Sequence, residues 1–215
     1  AYSTFVNKGK LVEPIIIDRI QDSEGNTIVN NEKRSCINCD QISFTGNLYP
    51  KINDKYKQIF SSQTAYQVTS LLEGVIQRGT GKKLRKLKLN LAGKTGTTNE
   101  NTDAWFIGYT SNLIIGVYVG MDNPSSLGKY ETGSKTALPI FEKFVSKAIK
   151  KSDARPFKVS DGIIMMVVDP ITGQKAKFSS KNTIMEAYKS ENVYEGKVLY
   201  SNNNRLDTNN ILNFY

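Results

Sequence analysis

The clearest alternation of apolar and polar positions lies in residues 61–81, SSQTAYQVTSLLEGVIQRGTG. Apolar side chains recur there every three or four residues, as on one face of an amphipathic helix. We expect that face to be buried and to consist of Val68, Leu71, Leu72, Val75 and Ile76. Ser61 or Ser62 can cap the first turn by accepting a hydrogen bond from a free amide, and Gly79 is expected to end the helix.

Three segments rich in β-branched and aromatic residues follow: LNLAGKTGT, AWFIGYT and LIIGVYVGM. Only Ser111 and Asn112 separate the second from the third, which predicts an antiparallel hairpin. Ile114, Val117 and Val119 suit a buried sheet. After a loop rich in glycine and serine (123–135), TALPIFEKFVSKAIKK predicts a helix whose apolar face contains Ile140, Phe141, Phe144, Val145, Ala148 and Ile149.

The ends of the chain carry weaker patterns. Residues 1–8 resemble the end of a helix that Gly9 stops, and PIIIDRIQDSEGNTIVN predicts a hairpin around its Ser-Glu-Gly-Asn turn. Residues 30–57 are polar and we expect them to be irregular. The character changes after residue 155, which predicts a main domain over 1–155 and an extension over 156–215. In that extension GIIMMVVDPITGQKAKF predicts a strand and a turn, and the last dozen residues are expected to be mobile.

The charge of the chain changes this picture little. Its net charge of +9 over 215 residues favours acidic partners. The densest basic run, KKLRKLK at 82–88, contains no aromatic residue, and no nucleic-acid-binding fold signature surrounds it. We therefore expect a solvated loop there and no nucleic-acid partner.

Two residue counts limit the chemistry. The chain contains no histidine, which excludes a Ser-His-Asp triad, a Cys-His dyad and histidine-based metal sites within it. Its two cysteines, Cys36 and Cys39, form one C-x-x-C pair without the second pair or histidine that a zinc site needs. A local disulfide is the interpretation that we adopt, two inert reduced thiols are the alternative, and we expect no metal site.

One short motif has a known context. AGKTGTTN, residues 92–99, is followed closely by DAWFIGYT, and together they resemble the penicillin-binding transpeptidases, most closely those of class A. AYSTFVNKG, AYQVTSLLEGVIQRGTG, VYVGMDNPSSLG and TALPIFEKF extend the resemblance, and GIIMMVVDPITG does so more faintly. The resemblance implies an α+β fold that is part of the serine transpeptidase/β-lactamase fold, with an antiparallel sheet and flanking helices.

The resemblance also assigns roles to the Lys-Thr-Gly segment. Lys94 would place a cation beside the nucleophile, and the backbone N–H of Thr97 would stabilise the oxyanion, so both count as catalytic. Thr95 and Thr97 would bind the substrate through their hydroxyls, Thr98 is also expected to bind the substrate, and Gly96 would let the substrate backbone approach closely. The expected ligands are D-Ala-D-Ala stem peptides of peptidoglycan and β-lactams, and no cofactor is implied.

This sequence departs from the family in one respect. The family uses S-x-x-K, S-x-N and K-T-G in that order, but neither serine motif precedes Lys94 here. The one S-x-x-K, Ser126 to Lys129, comes after it in a glycine-containing loop, and the S-x-N triplets at 180–182, 190–192 and 201–203 come later still. We therefore expect no nucleophile in this chain, no activity of the chain alone, and a serine on a segment upstream of Ala1.

The function predicted for the parent protein is peptidoglycan cross-linking by acyl transfer. The parent would carry an upstream glycosyltransferase and a membrane anchor, with the catalytic part on the periplasmic side of the cytoplasmic membrane. The missing part of the transpeptidase domain would be a partner of this chain, and the chain would otherwise associate with itself. The alternatives are a serine acyl enzyme of the D,D-carboxypeptidase or β-lactamase type and a non-catalytic cell-wall binding module.

Overall fold

The structure is a computed structural model that describes residues 1–31, 35–37, 39, 49, 51–53, 56–150, 153–178, 180, 182–194 and 197–198. Within these residues the helices are α1 (Tyr2–Val6), α2 (Ser62–Gln77) and α3 (Ala137–Ala148). The strands are β1 (Arg19–Gln21), β2 (Thr27–Asn30), β3 (Ser35–Ile37), β4 (Lys51–Asn53), β5 (Ala92–Thr97), β6 (Ala104–Tyr109), β7 (Ile114–Val119), β8 (Ile163–Val168), β9 (Ile184–Lys189), β10 (Val193–Tyr194) and β11 (Lys197–Val198).

The central sheet is an antiparallel meander in the order β5-β6-β7. Thr97 lies opposite Ala104 at one end of the first pair, and Ala92 lies opposite Tyr109 at the other. The β6–β7 hairpin turns through Ser111 and Asn112, as its sequence predicts. The residues that were expected to be buried on β7, namely Ile114, Val117 and Val119, are only half-buried.

Helix α2 begins where the serine cap predicts. The Oγ of Ser61 accepts a hydrogen bond from the Thr64 amide at 3.1 Å, and the helix ends at Gln77, two residues before Gly79. The prediction of its buried face was wrong at Leu71, whose side chain is 52% exposed. The row 65, 69, 72 and 76 faces the rest of the fold. Leu71 lies about 120° away from that row, so its side chain remains exposed.

Helix α3 packs against the meander and completes the core. Phe141 meets Phe106 of β6 edge-on, with 4.7 Å between the ring centroids. The buried residues of α3 are Ala137, Leu138, Phe141 and Val145. The predicted face was therefore too wide: Ile140, Phe144 and Ala148 are exposed, since they form a neighbouring row that nothing in the described structure covers.

The basic run after α2 is ordered, which corrects the prediction of a loop. Lys82–Leu87 forms a 3₁₀ helix, and Leu84 within it is 1% exposed. Lys86 forms an ion pair with Glu142 of α3 at 2.8 Å. The single buried leucine fixes the segment in the core while its basic side chains remain in water.

The remaining strands form small two-stranded sheets. The predicted hairpin of β1 and β2 is present, and β3 pairs with β4 inside the segment that was expected to be irregular. The structure joins Cys36 and Cys39 in a disulfide, with Cα atoms 5.7 Å apart. The strand predicted after residue 160 is β8, which pairs with β9, and the predicted mobile tail lies outside the described residues.

The β8–β9 hairpin is attached to α2 by polar contacts. Gln67 donates a hydrogen bond to the Ala187 carbonyl at 3.0 Å, and Arg78 pairs with Glu186. No helix in the described ranges is long and apolar enough to cross a lipid bilayer.

Candidate active site

The Lys-Thr-Gly segment lies on β5, an edge strand of the central sheet. Among the described strands β5 pairs only with β6, so its other edge has no strand beside it. Lys94 is exposed, and its ammonium group donates to the Thr95 carbonyl at 3.2 Å. The strand therefore presents a cation and an unpaired backbone edge at the same place.

The hydroxyl of Thr95 is held by the segment that follows α2. The Oγ1 atoms of Thr95 and Thr80 lie 3.0 Å apart and share a hydrogen bond. Thr80 belongs to the Gly-Thr-Gly sequence just after the helix. Sequence reasoning did not single out Thr80, because a contact between residues fifteen positions apart leaves no periodic signal in the sequence.

Gly96 lies in a position where a side chain would be crowded. A Cβ atom there would be 3.1 Å from the Cβ of Trp105 on the neighbouring strand. The ring of Trp105 in turn packs at a tilt against that of Tyr118 on β7, with ring centroids 4.7 Å apart. The Tyr118 hydroxyl donates to the Asp103 carboxylate at 2.8 Å, and this hydrogen bond raises the pKa of Tyr118.

The hydroxyl of Thr97 is oriented by the loop before α3. Its Oγ1 accepts a hydrogen bond from the Gly133 amide at 3.0 Å. Because that oxygen is already an acceptor, its own hydrogen remains available to a ligand. Gly133 approaches so closely that a Cβ would lie 2.5 Å from the Gly96 carbonyl oxygen, and closer still to that of Trp105. Gly133 is a second residue that sequence reasoning missed, and only the tertiary contact identifies it.

Thr98 has a different environment from the threonines on the strand. Its Oγ1 accepts a hydrogen bond from the Asp103 amide at 2.8 Å and shares another with Thr102 at 2.7 Å. Its own amide donates to the Asp103 carbonyl at 3.1 Å. These bonds close the β5–β6 loop, so contact between Thr98 and a substrate stays a prediction.

Ser126, in the S-x-x-K sequence that follows the Lys-Thr-Gly segment, is hydrogen-bonded within its own part of the structure. Its hydroxyl donates to the Glu100 carbonyl at 2.8 Å, while the Lys129 ammonium lies 5.7 Å from the centre of the Tyr130 ring. Asn101 holds the loop by donating to the Gly128 and Lys129 carbonyls. Among the described residues, no group of three or more acidic or cysteine side chains is arranged to hold a metal ion.

Comparison with known proteins agrees with this arrangement. Residues 1–146 match the family described as penicillin binding protein transpeptidase domain. The chain belongs to this family. The match includes α1, α2, the whole β5–β7 sheet and all but the last two residues of α3, and the predicted family and fold class are both confirmed.

Relatives of this transpeptidase-family chain carry the same name in several bacteria. Penicillin-binding protein 1A of Rickettsia prowazekii (strain Madrid E) is 40% identical over 217 residues, which cover 100% of this chain and 27% of that protein. Penicillin-binding protein 1A of Pseudomonas aeruginosa is 32% identical over an alignment that covers 90% of this chain and 27% of that protein. The chain thus spans about a quarter of the length of these relatives.

A solved structure has the same fold. The crystal structure of penicillin-binding protein 1A from Haemophilus influenzae superposes with a TM-score of 0.70 at 29% identity. The superposition covers 88% of this chain and 31% of the Haemophilus influenzae chain. The likeness therefore extends beyond the sheet to most of the chain.

Proposed function

We propose that this chain provides the Lys-Thr-Gly side of a D,D-transpeptidase site within a longer class A penicillin-binding protein. The longer protein would cross-link peptidoglycan by acyl transfer from D-Ala-D-Ala stem peptides. The observation that carries the proposal is the free edge of β5, where Lys94 is exposed and Thr97 has an oriented hydroxyl with a hydrogen to donate.

A stem peptide would bind along β5 as an added strand, through main-chain hydrogen bonds. The hydroxyls of Thr95 and Thr97 would donate to its terminal carboxylate, and Lys94 would add a positive charge. The Thr97 amide would donate to the oxyanion that forms at the attacked carbonyl. Loss of one such donor lowers the rate about 10²–10³-fold. A β-lactam would occupy the same edge.

The nucleophile of this reaction is proposed to come from outside these 215 residues. A serine Oγ would attack the carbonyl of the penultimate D-Ala, the C–N bond to the last D-Ala would break, and that residue would leave as the free amino acid. An amine of a second stem peptide would then attack the ester and release the serine. The site would operate on the periplasmic side of the cytoplasmic membrane, in a protein that also polymerises glycan.

The first test is the intact mass of the chain after incubation with penicillin. We expect no acyl adduct, because Ser126 is hydrogen-bonded within its loop and the ammonium of Lys129 lies against Tyr130. A stoichiometric adduct would contradict the proposal that the nucleophile lies elsewhere.

The second test is a titration of the ¹⁵N-labelled chain with N-acetyl-D-Ala-D-Ala. We expect the amide signals of residues 94–98 to shift, and Lys94→Ala to weaken the response. Lys147→Gln, at an exposed lysine of α3, is the matched control for the loss of one charge. Unchanged signals at residues 94–98 would argue against peptide binding along β5.

A further inference from the structure

A cavity of about 320 Å³ lies between α1, the first half of α2 and residues 155–161. Its volume is at the lower end of the range of small-molecule sites. It forms between the part of the chain that matches the transpeptidase family, residues 1–146, and the segment that follows that part.

The cavity is distinct from the Lys-Thr-Gly site. Ser111, in the β6–β7 turn, lines it, and this turn follows the end of the sheet at which Tyr109 pairs with Ala92. Thr97 is at the opposite end of β5, roughly 17 Å away at the usual rise of a strand. A ligand in the cavity would therefore not touch the oriented hydroxyl of Thr97.

The outer wall of the cavity is fixed at several points. Phe157 packs edge-on against the buried Tyr109, with ring centroids 5.6 Å apart. Gln63 donates to the Asp161 carbonyl at 3.0 Å, and Ser160 donates to the Ser62 hydroxyl at 2.7 Å. These contacts hold residues 157–161 against α2 and the end of β6, so the cavity is formed before any ligand arrives.

The charge of the lining favours an anion. The described lining contains three cationic side chains, Lys8, Arg155 and Lys158, and one carboxylate, Asp161. Within the described residues none of the three cations forms an ion pair. The first turn of α2, beside Ser62, adds the positive end of a helix dipole.

The remaining lining limits the rest of the ligand. Phe5, Val6, Phe157 and Val159 supply apolar walls, which suit methyl or other small apolar groups. An arginine binds a carboxylate through two parallel hydrogen bonds, and the Ser111 hydroxyl can add a third donor. A free inorganic anion would leave these apolar walls in contact with water.

We propose that this cavity is a second, non-catalytic binding site for the carboxylate end of a short peptide with small apolar side chains. The choice of a peptide from the cell wall as this ligand rests on the proposed function. The presence of the cavity, the charge of its lining and its apolar walls do not depend on that function. Arg155 and Lys158 bind the terminal carboxylate, and the methyl groups of the peptide lie against Phe5 and Phe157.

The test follows amide signals of the ¹⁵N-labelled chain during titration with N-acetyl-D-Ala-D-Ala, with its C-terminal amide and with inorganic phosphate. We expect the free acid to shift the signals of Thr69, Ser111 and Ser160. The amide should bind with at least tenfold lower affinity, because charge-assisted hydrogen bonds are lost. The double variant Arg155→Gln/Lys158→Gln should lower the affinity for the free acid about tenfold or more, whereas Lys147→Gln should leave that affinity unchanged.

The outcomes separate this site from the one on β5. Shifts at Ser111 and Ser160 that persist in Lys94→Ala but decline in the double variant support the cavity site, whatever happens at residues 94–98. Absence of these shifts, equal binding of the amide, or an equal response to phosphate alone would overturn the proposal. A failure of the proposed function would instead appear as unshifted signals at residues 94–98.

Discussion

Glu73 is half-buried on α2 and has no hydrogen-bond partner among the described residues, and its burial raises its pKa to about 7. The negative charge of Glu73 also raises the pKa of Tyr66, after the larger effect of burial. Burial likewise raises the pKa of Tyr109 to about 12, and the Tyr109 hydroxyl donates a hydrogen bond to Thr69. An unpaired carboxyl group at this position makes folding depend on pH.

The sign of this dependence follows from linkage. A carboxyl group whose pKa is higher in the folded than in the unfolded chain holds its proton more tightly when folded. The favourable contribution of Glu73 is therefore complete below about pH 4.5, is lost as the pH rises to about 7, and stays absent above that. We predict that Glu73→Gln increases the free energy of unfolding at pH 8 and has a smaller effect at pH 5.

Urea denaturation of the wild-type chain and the variant at several pH values would measure this difference. Glu191→Gln removes a carboxyl group whose side chain is 74% exposed and is the matched control for net charge. A difference between Glu73→Gln and the wild type that is the same at pH 5 and pH 8 would contradict the assignment.

At the scale of elements, the sequence predicted local structure better than it predicted how the elements pack against one another. The serine cap placed the start of α2, and the two-residue connection placed the β6–β7 hairpin, because both signals depend on neighbouring residues alone. The buried faces were too wide at Leu71 and Phe144, since periodicity identifies an apolar face but not how much of it another element covers.

The site shows the same division. The Lys-Thr-Gly strand could be identified from its letters and its resemblance to a family. Its supports could not: Thr80 and Gly133 reach Thr95 and Thr97 only through the folded chain. These two contacts determine which way the hydroxyls on β5 point, and nothing in the spacing of the sequence encodes them.

The contact between the loop before α3 and the sheet gives a prediction. Gly133→Ala would place a Cβ against the carbonyl oxygens of Gly96 and Trp105, so the loop must move away and release Thr97. We expect a loss of about 1–3 kcal/mol in the free energy of unfolding, as for other overpacked sites. Gly116→Ala is the matched control, because a Cβ there would have only one neighbour, 4.0 Å away. Equal stability of the two variants would show that the loop is not held as described.

For the whole molecule, the notable feature is the apolar surface that remains uncovered. Ile140 and Phe144 lie one turn apart on the outer face of α3, with 50% and 51% of their surfaces exposed. Leu71 of α2 and Trp105 of β6 are also exposed. Of these residues only Ile140 and Phe144 are neighbours on one helix face, and adjacent exposed apolar side chains favour contact with another segment or molecule. The relatives, which are about four times as long, carry additional chain that could cover them.

We predict that the isolated chain associates with itself through this surface. Its sedimentation coefficient should rise with protein concentration, and Phe144→Lys should reduce the rise because a charge on the contact opposes burial. Ser146→Lys adds the same charge at an exposed position of α3 outside the row of Ile140 and Phe144. A sedimentation coefficient independent of concentration would refute self-association.

The way residues 157–161 close the cavity has a consequence for the order of folding. The meander of β5, β6 and β7 joins neighbours along the chain, whereas the bonds from Gln63 to Asp161 and from Ser160 to Ser62 each span 98 residues. Contacts between distant residues carry a larger entropy cost and tend to form after local ones. We therefore expect the cavity to be the last part of the molecule to close during folding and among the first to open during unfolding.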